Sequence, residues 1–572
     1  MQSKIKLVVC WHMHQPHYRD GQGGAYRLPW VYLHALKDYT DMIWHLEQVE
    51  GAKAVVNFAP VLLEQLDDYK VQLENWLHSG EATKDELLNR LLGATPVPDD
   101  LAGRKEWVTL CTRAHAPTVI DPIEPFRQRL EMVRSEHSKD RFDDVVLSYL
   151  TPEYFTDILV WYHLAWMGQS LRQQDARLER FFAKTDGFNS DDIRELGEII
   201  HDAIANIIPR YKALMDAGRI EISMTPYGHP IVPLMLDFNS IKEAMPDALM
   251  PQSATYPGGR GRASWHLQKG LEIYQQHFDS KPKGVWLSEG AVSEAAVKLL
   301  DDFDIRWTAS GEGVWRHSCE QSKIDQHDLH SKKALYQPLQ LAGINCQMFF
   351  RDDGLSDMIG FHYKDWNPQD AANNFAHHLE NIANFLGDEA HDHVVSVILD
   401  GENAWEYYPD NAQAFLSAFY TTLSQHPRVE MTTFAEAIEQ GVSIRGLCTL
   451  KAGSWVYGTF STWMGDVDKN RGWDLLVEAK EAYDRQISNG RLTEAQADAA
   501  TDQLAICEGS DWFWWFGDYN SADSVRDFDR LYRSHLRKLY KLINLPAPAH
   551  LEQPISQGGG DAENSGTMRR NV

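Results

Sequence analysis

Short apolar runs alternate along the chain with longer amphipathic segments. This alternation predicts strands and helices arranged around a parallel sheet, and therefore an α/β fold class. The runs are rich in β-branched and aromatic residues, which is typical of buried strands. The predicted strands are 5–11, 54–58, 219–224, 284–287, 305–309 and 394–399.

A long helical stretch separates the second predicted strand from the third, and it includes an amphipathic helix at 191–216. It is too long to be one connection, so it predicts helical insertions. After about residue 440 the strand pattern fades, and helices are predicted at 473–489, 493–507 and 521–543. The predicted domains are an α/β unit over 1–440, a helical C-terminal domain over 441–546 and a Gly-rich, disordered tail over 547–572.

Length and charge narrow the classes of function. The chain has 572 residues, which exceeds the size that a single hydrophobic core usually supports. More than one domain is therefore expected. Asp and Glu total 82 against 55 Lys and Arg, which gives a formal net charge of −27. Neither nucleic acid nor an anionic membrane surface is therefore an expected partner. The sequence does not indicate the oligomeric state.

Cysteine spacing and the first residues bear on location. The six cysteines are far apart, with no CxxC pair and no dense spacing of the kind found in disulfide-rich secreted domains. The first apolar run is too short for the core of a signal peptide. No apolar stretch approaches the roughly 18 residues needed to span a bilayer. A cytoplasmic location is expected.

Two acidic residues follow predicted strands. Glu289 follows the run 284–287, and Asp400 follows the most strongly apolar run of the chain. Either could have a structural role, as a residue of a first helical turn or as a turn cap. However, the carboxyl ends of parallel strands meet in one crevice, where active sites of α/β proteins are assembled. Two carboxylates there are the minimum for glycoside hydrolysis, one as nucleophile and one as general acid/base.

Histidines follow the first and third predicted strands. The sequence WHMHQPHY contains His12, His14 and Gln15, and GRIEISMTPYGHPI contains Glu221 and His229. Two histidines one residue apart on extended chain point the same way. They could bind a metal, form hydrogen bonds with sugar hydroxyls, or be structural. Glu221 could instead be a buried partner that orients a neighbouring side chain.

The tryptophans are numerous, 19 in all, and flat rings suit the apolar faces of sugars. Two segments are candidate sugar platforms: SWVYGTFSTWMGDVDKNRGW with Trp455, Trp463 and Asp466, and EGSDWFWWFGDYN with Asp511. Each could instead be a packing seam between the helical domain and the α/β unit. We favour the seam for the second segment.

Five motifs resemble, in order, those of glycoside hydrolase family 57. They are HQP at 14–16, GxIExxxxPxxHP at 218–230, WLxE ending at Glu289, DGENAWE from Asp400, and SWxxGxFSxWxGDxxxNxxW from Ser454. The resemblance implies an incomplete catalytic (β/α)7 barrel with helical insertions, an associated helical domain, and a retaining mechanism on α-linked glucans. The last two motifs are closest in wording to amylopullulanase-type and α-amylase-type members.

The resemblance also implies residue roles. Glu289 is the expected nucleophile and Asp400 the expected acid/base. The resemblance makes His14, His229, Trp405, Trp455 and Asp466 expected substrate contacts. His12, Gln15, Glu221, Trp286 and Trp463, which lie in the same clusters, are further expected substrate contacts. Since the family needs no catalytic metal, neither metal nor cofactor is expected. The expected substrate is a glycogen- or starch-type α-glucan or a maltooligosaccharide, cleaved at α-1,4 bonds, with α-1,6 cleavage left open.

Three alternatives remain. A 4-α-glucanotransferase would pass the same glycosyl intermediate to a glucan hydroxyl instead of to water. A zinc-dependent retaining α-mannosidase would use the HMH histidines as ligands, although no HxD pair lies near the N-terminus. A non-catalytic glucan-binding protein would have no need of two carboxylates at strand ends.

Overall fold

The computed structural model describes residues 3–20, 24–135, 138–560 and 567–568. Its strands are β1 (Ile5–Met13), β2 (Ala54–Phe58), β3 (Arg134–Ser135), β4 (Ser138–Phe142), β5 (Ile220–Met224), β6 (Trp307–Ser310), β7 (Leu339–Leu341), β8 (Gln347–Phe350), β9 (Val394–Asp400), β10 (Val429–Met431) and β11 (Arg445–Leu447). The first helices are α1 (Trp30–His34), α2 (Thr40–Gln48) and α3 (Pro60–Ser79).

The other helices form three groups along the chain. Between β2 and β5 lie α4 (Glu86–Leu91), α5 (Leu101–Leu110), α6 (Glu124–Val133), α7 (Asp144–Tyr149), α8 (Pro152–Ala165), α9 (Gln169–Gln174), α10 (Ala176–Ala183) and α11 (Ser190–Asp216). Between β5 and β11 lie α12 (Val232–Leu236), α13 (Gly259–Phe278), α14 (Glu294–Asp302), α15 (Glu312–Gln321), α16 (Gln326–His330), α17 (Asp353–Asp357), α18 (Pro368–Leu386), α19 (Gln413–Gln425) and α20 (Phe434–Glu439). After β11 follow α21 (Val467–Ser488), α22 (Glu494–Cys507), α23 (Asp511–Trp515) and α24 (Ala522–Leu542).

Parallel segments form a circuit around an inner core. β1 pairs with β9 on one side and β2 on the other, and β2 pairs with β5. Isolated bridges join the segment 284–287 to β5 and to β6, and β6 pairs with β8. A bridge from Arg351 to Ser396 returns the circuit to β9. These contacts confirm the α/β class and give the (β/α)7 type of barrel.

Most barrel segments lie where the sequence pattern predicts them. Two differ. β8 was not predicted, because its four residues begin with a Gln and form too short a run. The predicted strand 284–287 is present only as bridges at Gly284 and Val285. The indole of Trp307 lies where a side chain at Gly284 would project, so the two backbones approach closely there.

The inside of the barrel is filled by side chains rather than open. Trp286, Trp307 and Phe349 lie there with aliphatic residues and a cysteine from β1 and β9, and Phe434 packs against Trp307 with ring centroids 4.5 Å apart. Each such buried ring contributes about 2 to 3 kcal/mol of hydrophobic stabilisation. Because side chains fill the barrel, chemistry is confined to its carboxyl end.

The C-terminal helices pack against one another, and the segment after them corrects one prediction. The tail was expected to be disordered from residue 547, but Ala549–Glu552 forms a helical turn. Leu551 and Ile555 are only 1% and 4% exposed. The Arg533 guanidinium of α24 donates to the carbonyl of Leu551 at 3.0 Å. Residues 561–566 and 569–572 of the predicted tail lie outside the described residues.

Two further properties concern the whole of the described chain. All six cysteines fall within the described ranges, and each is a free thiol. Five of them are buried and Cys448 is exposed. Among the described residues, no helix combines the length and the apolar character that crossing a membrane requires.

Candidate active site

Glu289 lies in the turn Ser288–Gly290, directly after the segment 284–287. Its backbone is left-handed, with φ 60° and ψ 23°, which costs a residue other than glycine about 1 kcal/mol. The indole Nε1 of Trp455 donates to Glu289 Oε2 at 3.0 Å, and the backbone N–H of Trp455 donates to the Glu289 carbonyl at 3.1 Å. These contacts hold the carboxylate at the carboxyl end of the barrel.

The turn that holds Glu289 is not the start of a helix. The next helix, α14, begins only at Glu294, five residues after Glu289. The simple explanation of Glu289 as a first-turn residue that favours the helix dipole therefore does not apply.

Asp400 is the last residue of β9 and pairs in register with His12 of β1. The amide of Asn403 donates to Asp400 Oδ2 at 2.8 Å. Burial raises the pKa of the Asp400 carboxyl to about 6, although Asn403, His14 and Arg351 each oppose that rise. A carboxyl with this pKa can both donate and accept a proton near neutral pH.

A stacked pair of histidines lies between the two carboxyl groups. The rings of His14 and His229 are 3.8 Å apart between centroids, with 11° between their planes. His229 Nδ1 is 4.0 Å from Glu289 Oε1. On the other side, the His14 imidazole is close enough to Asp400 to oppose the rise in the pKa of its carboxyl group. The predicted nucleophile and acid/base therefore face one site from two barrel segments.

His12 completes the histidine cluster. Its Nε2 is 3.2 Å from His229 Nε2, and its Nδ1 is 2.7 Å from Asn57 Oδ1. Burial, and after it the neighbouring imidazoles, lower the pKa of His12 to about 3 and that of His229 well below its usual value. Both rings are therefore neutral hydrogen-bonding groups.

His14, His229 and Asp511 place potential metal-ligand atoms within 4.8 Å of one another. The stacking of the two rings argues against one shared ion, because imidazole lone pairs lie in the ring plane and nearly parallel planes do not converge. In addition, His14 Nε2 already lies 2.8 Å from Asp511 Oδ1. The arrangement suits hydrogen bonding better than metal binding.

Comparison with known proteins identifies the family of the chain. The sequence profile described as Glycosyl hydrolase family 57 matches residues 8–450. The chain belongs to glycosyl hydrolase family 57. The matched span contains both Glu289 and Asp400. A search among curated proteins found no match.

Solved structures similar to this family 57 enzyme have the same overall fold. A GH57-type branching enzyme from Pyrococcus horikoshii aligns with a TM-score of 0.56 and 15% identity, over 98% of each chain. A GH57 branching enzyme from Thermococcus kodakaraensis gives 0.55 and 16%, over 94% of this chain and 90% of that one. An alpha-amylase from Thermotoga maritima gives 0.56 and 14%, over 95% and 93%. At these identities the likeness concerns the fold, and it does not separate one activity from another.

Glu402 lies beside the pair, in the loop after Asp400. Its Oε1 accepts from the backbone N–H of His14 at 3.3 Å and from Gln15 Nε2 at 3.2 Å. Burial, followed by the nearby carboxylates of Asp400 and Asp38, raises the pKa of Glu402 well above its usual value. Glu402 is therefore neutral and adds no second negative charge beside Asp400. Gln15 therefore lies behind His14 and, through its hydrogen bond to Glu402, helps to hold the loop after Asp400.

The tryptophans predicted to contact substrate occupy different places. Trp455 is partly buried and lies on Glu289. Trp286 is fully buried beneath it, with ring centroids 5.2 Å apart. Trp405 is buried behind Asp400, where its Nε1 donates to the Gly401 carbonyl at 2.8 Å. The structure thus places Trp455 at the site and the other two rings in its supporting wall.

Trp463 and Asp466 make structural contacts at the start of the C-terminal helices, where substrate contacts were expected. Trp463 is buried, and its carbonyl accepts from the indole of Trp473 at 2.9 Å. Asp466 is exposed and caps α21, where it accepts from the backbone N–H groups of Asp468 and Lys469. Both residues belong to the start of the C-terminal helices.

Glu221 is the second residue of β5 and lies near the amino end of that strand, opposite the site. Its oxygens accept from the Trp307 indole at 2.7 Å and from the backbone N–H of Ala435 at 2.9 Å. The expectation of a substrate contact is therefore wrong, and the structure supports the other interpretation, that of a buried partner.

We expect Glu221→Gln to lower stability without impairing catalysis. The amide NH2 of the new glutamine would face either the Trp307 indole N–H or the Ala435 N–H, both of which are donors. The lost hydrogen bond lowers the free energy of unfolding by about 1 to 3 kcal/mol. Thermal unfolding and kcat should be measured on the same preparation. A lower Tm with kcat within about 2-fold of wild type is expected. A large loss of kcat at unchanged Tm would indicate that Glu221 takes part in substrate binding or catalysis after all.

Two residues of the site were missed. Arg351 follows β8 directly, donates to the Ile398 carbonyl at 2.8 Å, and lies 5.8 Å from the ring centroid of Trp455. Because the sequence pattern does not predict β8, it gives no reason to place Arg351 at a strand end. The sequence places Asp511 in a segment that we interpreted as a packing seam. Its contact, His14, is 497 residues away in the sequence, so no local sequence pattern indicates the pairing.

Proposed function

We propose that this family 57 enzyme is a retaining glycoside hydrolase that cleaves α-1,4 bonds in glycogen- or starch-type α-glucans or in maltooligosaccharides. The observation that carries the proposal is the pair Glu289 and Asp400, at the carboxyl ends of two barrel segments with His14 and His229 between them. Neutral imidazoles and an indole around two carboxyl groups suit the binding of neutral hydroxyls.

In the first half of the reaction, Glu289 attacks the anomeric carbon as Asp400 protonates the departing glycosidic oxygen. The carbon–oxygen bond breaks, and a glycosyl ester of Glu289 forms. In the second half, the Asp400 carboxylate takes a proton from water, and that oxygen attacks the anomeric carbon. The ester bond breaks and both carboxyl groups return to their starting states.

The surroundings of the two carboxyl groups support this division of roles. Burial raises the pKa of Asp400 to about 6, so a fraction of the group carries the proton that an acid must deliver. The Trp455 indole donates to one oxygen of Glu289, and that donation fixes the direction of the carboxylate that acts as nucleophile.

The α-glucan class is supported by the five motifs and by what the similar structures are called, namely branching enzymes and an alpha-amylase. Within the family, the wording of the last two motifs favours an amylopullulanase-like or α-amylase-like member. We also infer a cytoplasmic location, in keeping with six unpaired cysteines of which five are buried.

Product analysis tests the proposal. With maltoheptaose we expect shorter maltooligosaccharides alone, because water attacks the intermediate. A ladder of products longer than maltoheptaose would instead indicate a 4-α-glucanotransferase. Maltotriose released from pullulan would add α-1,6 cleavage. Glu289→Gln is the control for contaminating amylase. Absence of any product from maltoheptaose, glycogen and pullulan would contradict the proposed substrate class.

A further inference from the structure

The segment 508–511 joins α22 to α23 and reaches the active site from the C-terminal helices. Its first residue, Glu508, is buried and anchors it to α13. The Arg262 guanidinium donates to both carboxylate oxygens, at 2.9 and 2.8 Å, and His266 Nε2 lies 2.7 Å from Oε2. Burial alone would raise the pKa of Glu508, but Arg262 and His266 outweigh it and lower that pKa to about 2. The anchor is therefore ionic at any ordinary pH.

Close backbone approach fixes the segment against the loop that carries His229. Gly509 forms a bridge with Pro230. A Cβ at Gly509 would lie 2.9 Å from the Gly228 carbonyl, and one at Gly228 would lie 2.7 Å from the Ala505 carbonyl. Two glycines thus allow the two backbones to touch, which leaves the next two residues little freedom.

Those next two residues bind the two stacked histidines. The backbone N–H of Ser510 donates to the His229 carbonyl at 2.9 Å, and Ser510 Oγ lies 2.7 Å from His229 Nδ1. Asp511 Oδ1 lies 2.8 Å from His14 Nε2, with 12% of its side chain exposed. Each ring therefore has its own partner from the C-terminal helices.

We propose that Asp511 and Ser510 are positioning residues of the glycosidase site, through which the C-terminal helices complete the catalytic machinery. Asp511 holds His14 with a hydrogen on Nε2 and stabilises positive charge on that ring, and Ser510 orients His229. The roles of His14 and His229 rest on the proposed function. Neither Asp511 nor Ser510 is assigned by the five motifs, which end before residue 508.

The charge on His14 matters because few charged groups face Asp400. Glu402, on the same loop, is neutral. Directly after β1, His14 presents a ring that can be charged. Arg351, from the end of β8, forms ion pairs with Asp353 and Asp357 at 2.6 and 2.7 Å. His12 and His229 are neutral. The pairing of Asp511 with His14 therefore bears on the charge that faces Asp400.

Asp511→Asn tests the proposal, because the amide keeps the size of the side chain and removes its charge. We expect kcat on a maltooligosaccharide to fall about 10- to 100-fold, with KM changed less than about 3-fold. With less positive charge beside it, Asp400 loses its proton at higher pH. The basic limb of the kcat/KM profile should therefore move upward, by about half a pH unit or more.

Asp529→Asn is the matched control for a purely structural effect. Asp529 is a buried carboxylate of α24, paired with Arg533 at 2.7 Å, and it does not contact the histidines. We expect this variant to unfold at lower temperature and to keep the wild-type pH profile. If Asp511→Asn also lowers Tm and leaves the profile and the ratio of kcat to KM unchanged, the proposal is overturned.

A second measurement separates this proposal from the proposed function. In protein labelled with ¹⁵N-histidine, the His14 ring signals are assigned with His14→Gln. We expect the hydrogen to reside on Nε2 in the wild type and the tautomers to mix in Asp511→Asn. This readout needs no substrate, so it holds even if the enzyme fails to cleave α-glucans. An unchanged tautomer in the variant would overturn the role of Asp511.

Discussion

Glu289→Gln is expected to lower kcat on maltooligosaccharides by at least about 10⁴-fold while oligosaccharide binding remains measurable. The amide cannot form the glycosyl ester, so the first half of the reaction is lost. The hydrogen bond from Trp455 can persist, since the amide oxygen still accepts, and the surrounding fold should be retained. Turnover should be followed by reducing-sugar release, and binding by calorimetry with maltoheptaose.

Azide rescue makes this test specific for a nucleophile. In Glu289→Ala the space beside the anomeric carbon is open to a small anion. With an α-glucosyl fluoride as substrate, azide should attack from the β face, fluoride should leave, and a β-glucosyl azide should form. Glu221→Gln, which replaces a buried carboxyl group elsewhere, should give no β-glucosyl azide, because Glu289 still occupies the β face. Near-normal turnover by Glu289→Gln without azide would disprove the assignment.

Asp400→Asn is the second large effect. With maltooligosaccharides, kcat should fall by about 10³-fold or more, because no proton reaches the departing sugar oxygen. An α-maltosyl fluoride needs no such proton, so its first step should survive. Water is then poorly activated, and the glycosyl ester of Glu289 should accumulate. Mass spectrometry of the intact protein would detect it as an added maltosyl mass.

The pH dependence of the wild type follows from the same residue. Asp400 must carry a proton to act as an acid, and burial raises its pKa to about 6. Activity in kcat/KM on maltooligosaccharides should therefore fall as pH rises through that value, and the wild type should lack this limb with α-maltosyl fluoride, whose departure needs no proton. A wild-type basic limb near pH 4, the ordinary range of an aspartate, would contradict the assignment.

The sequence predicted much of this site because strand ends are local features. β1, β5, the segment 284–287 and β9 each end in a polar cluster, and four such clusters at one edge of a parallel barrel must meet. Arg351 escaped because four residues of strand give too weak a pattern. Its chemistry also depends on Asp353 and Asp357, whose pairing appears only after folding.

The predictions that failed share one cause: a side chain's role depends on which end of an element carries it. Glu221 follows the start of β5, not its end, so it faces Trp307 in the core. Asp466 lies in a motif rich in sugar-binding residue types, but it caps α21, and its carboxylate accepts hydrogen bonds from the first backbone N–H groups of that helix. The opposite error concerns the segment 508–520, which was predicted to be a packing seam. Asp511 of this segment lies in the site, and only the packing of α22 and α23 places it there.

The left-handed backbone at Glu289 has a consequence for engineering. Glycine adopts φ 60° without penalty, whereas glutamate pays about 1 kcal/mol for the same conformation. Glycine would remove that cost but would also leave the Trp455 indole without its acceptor, so selection for heat resistance alone does little to retain the glutamate that the reaction needs most. A directed-evolution campaign on this enzyme should screen every round for turnover, because its most heat-stable survivors would otherwise include folded but inert proteins.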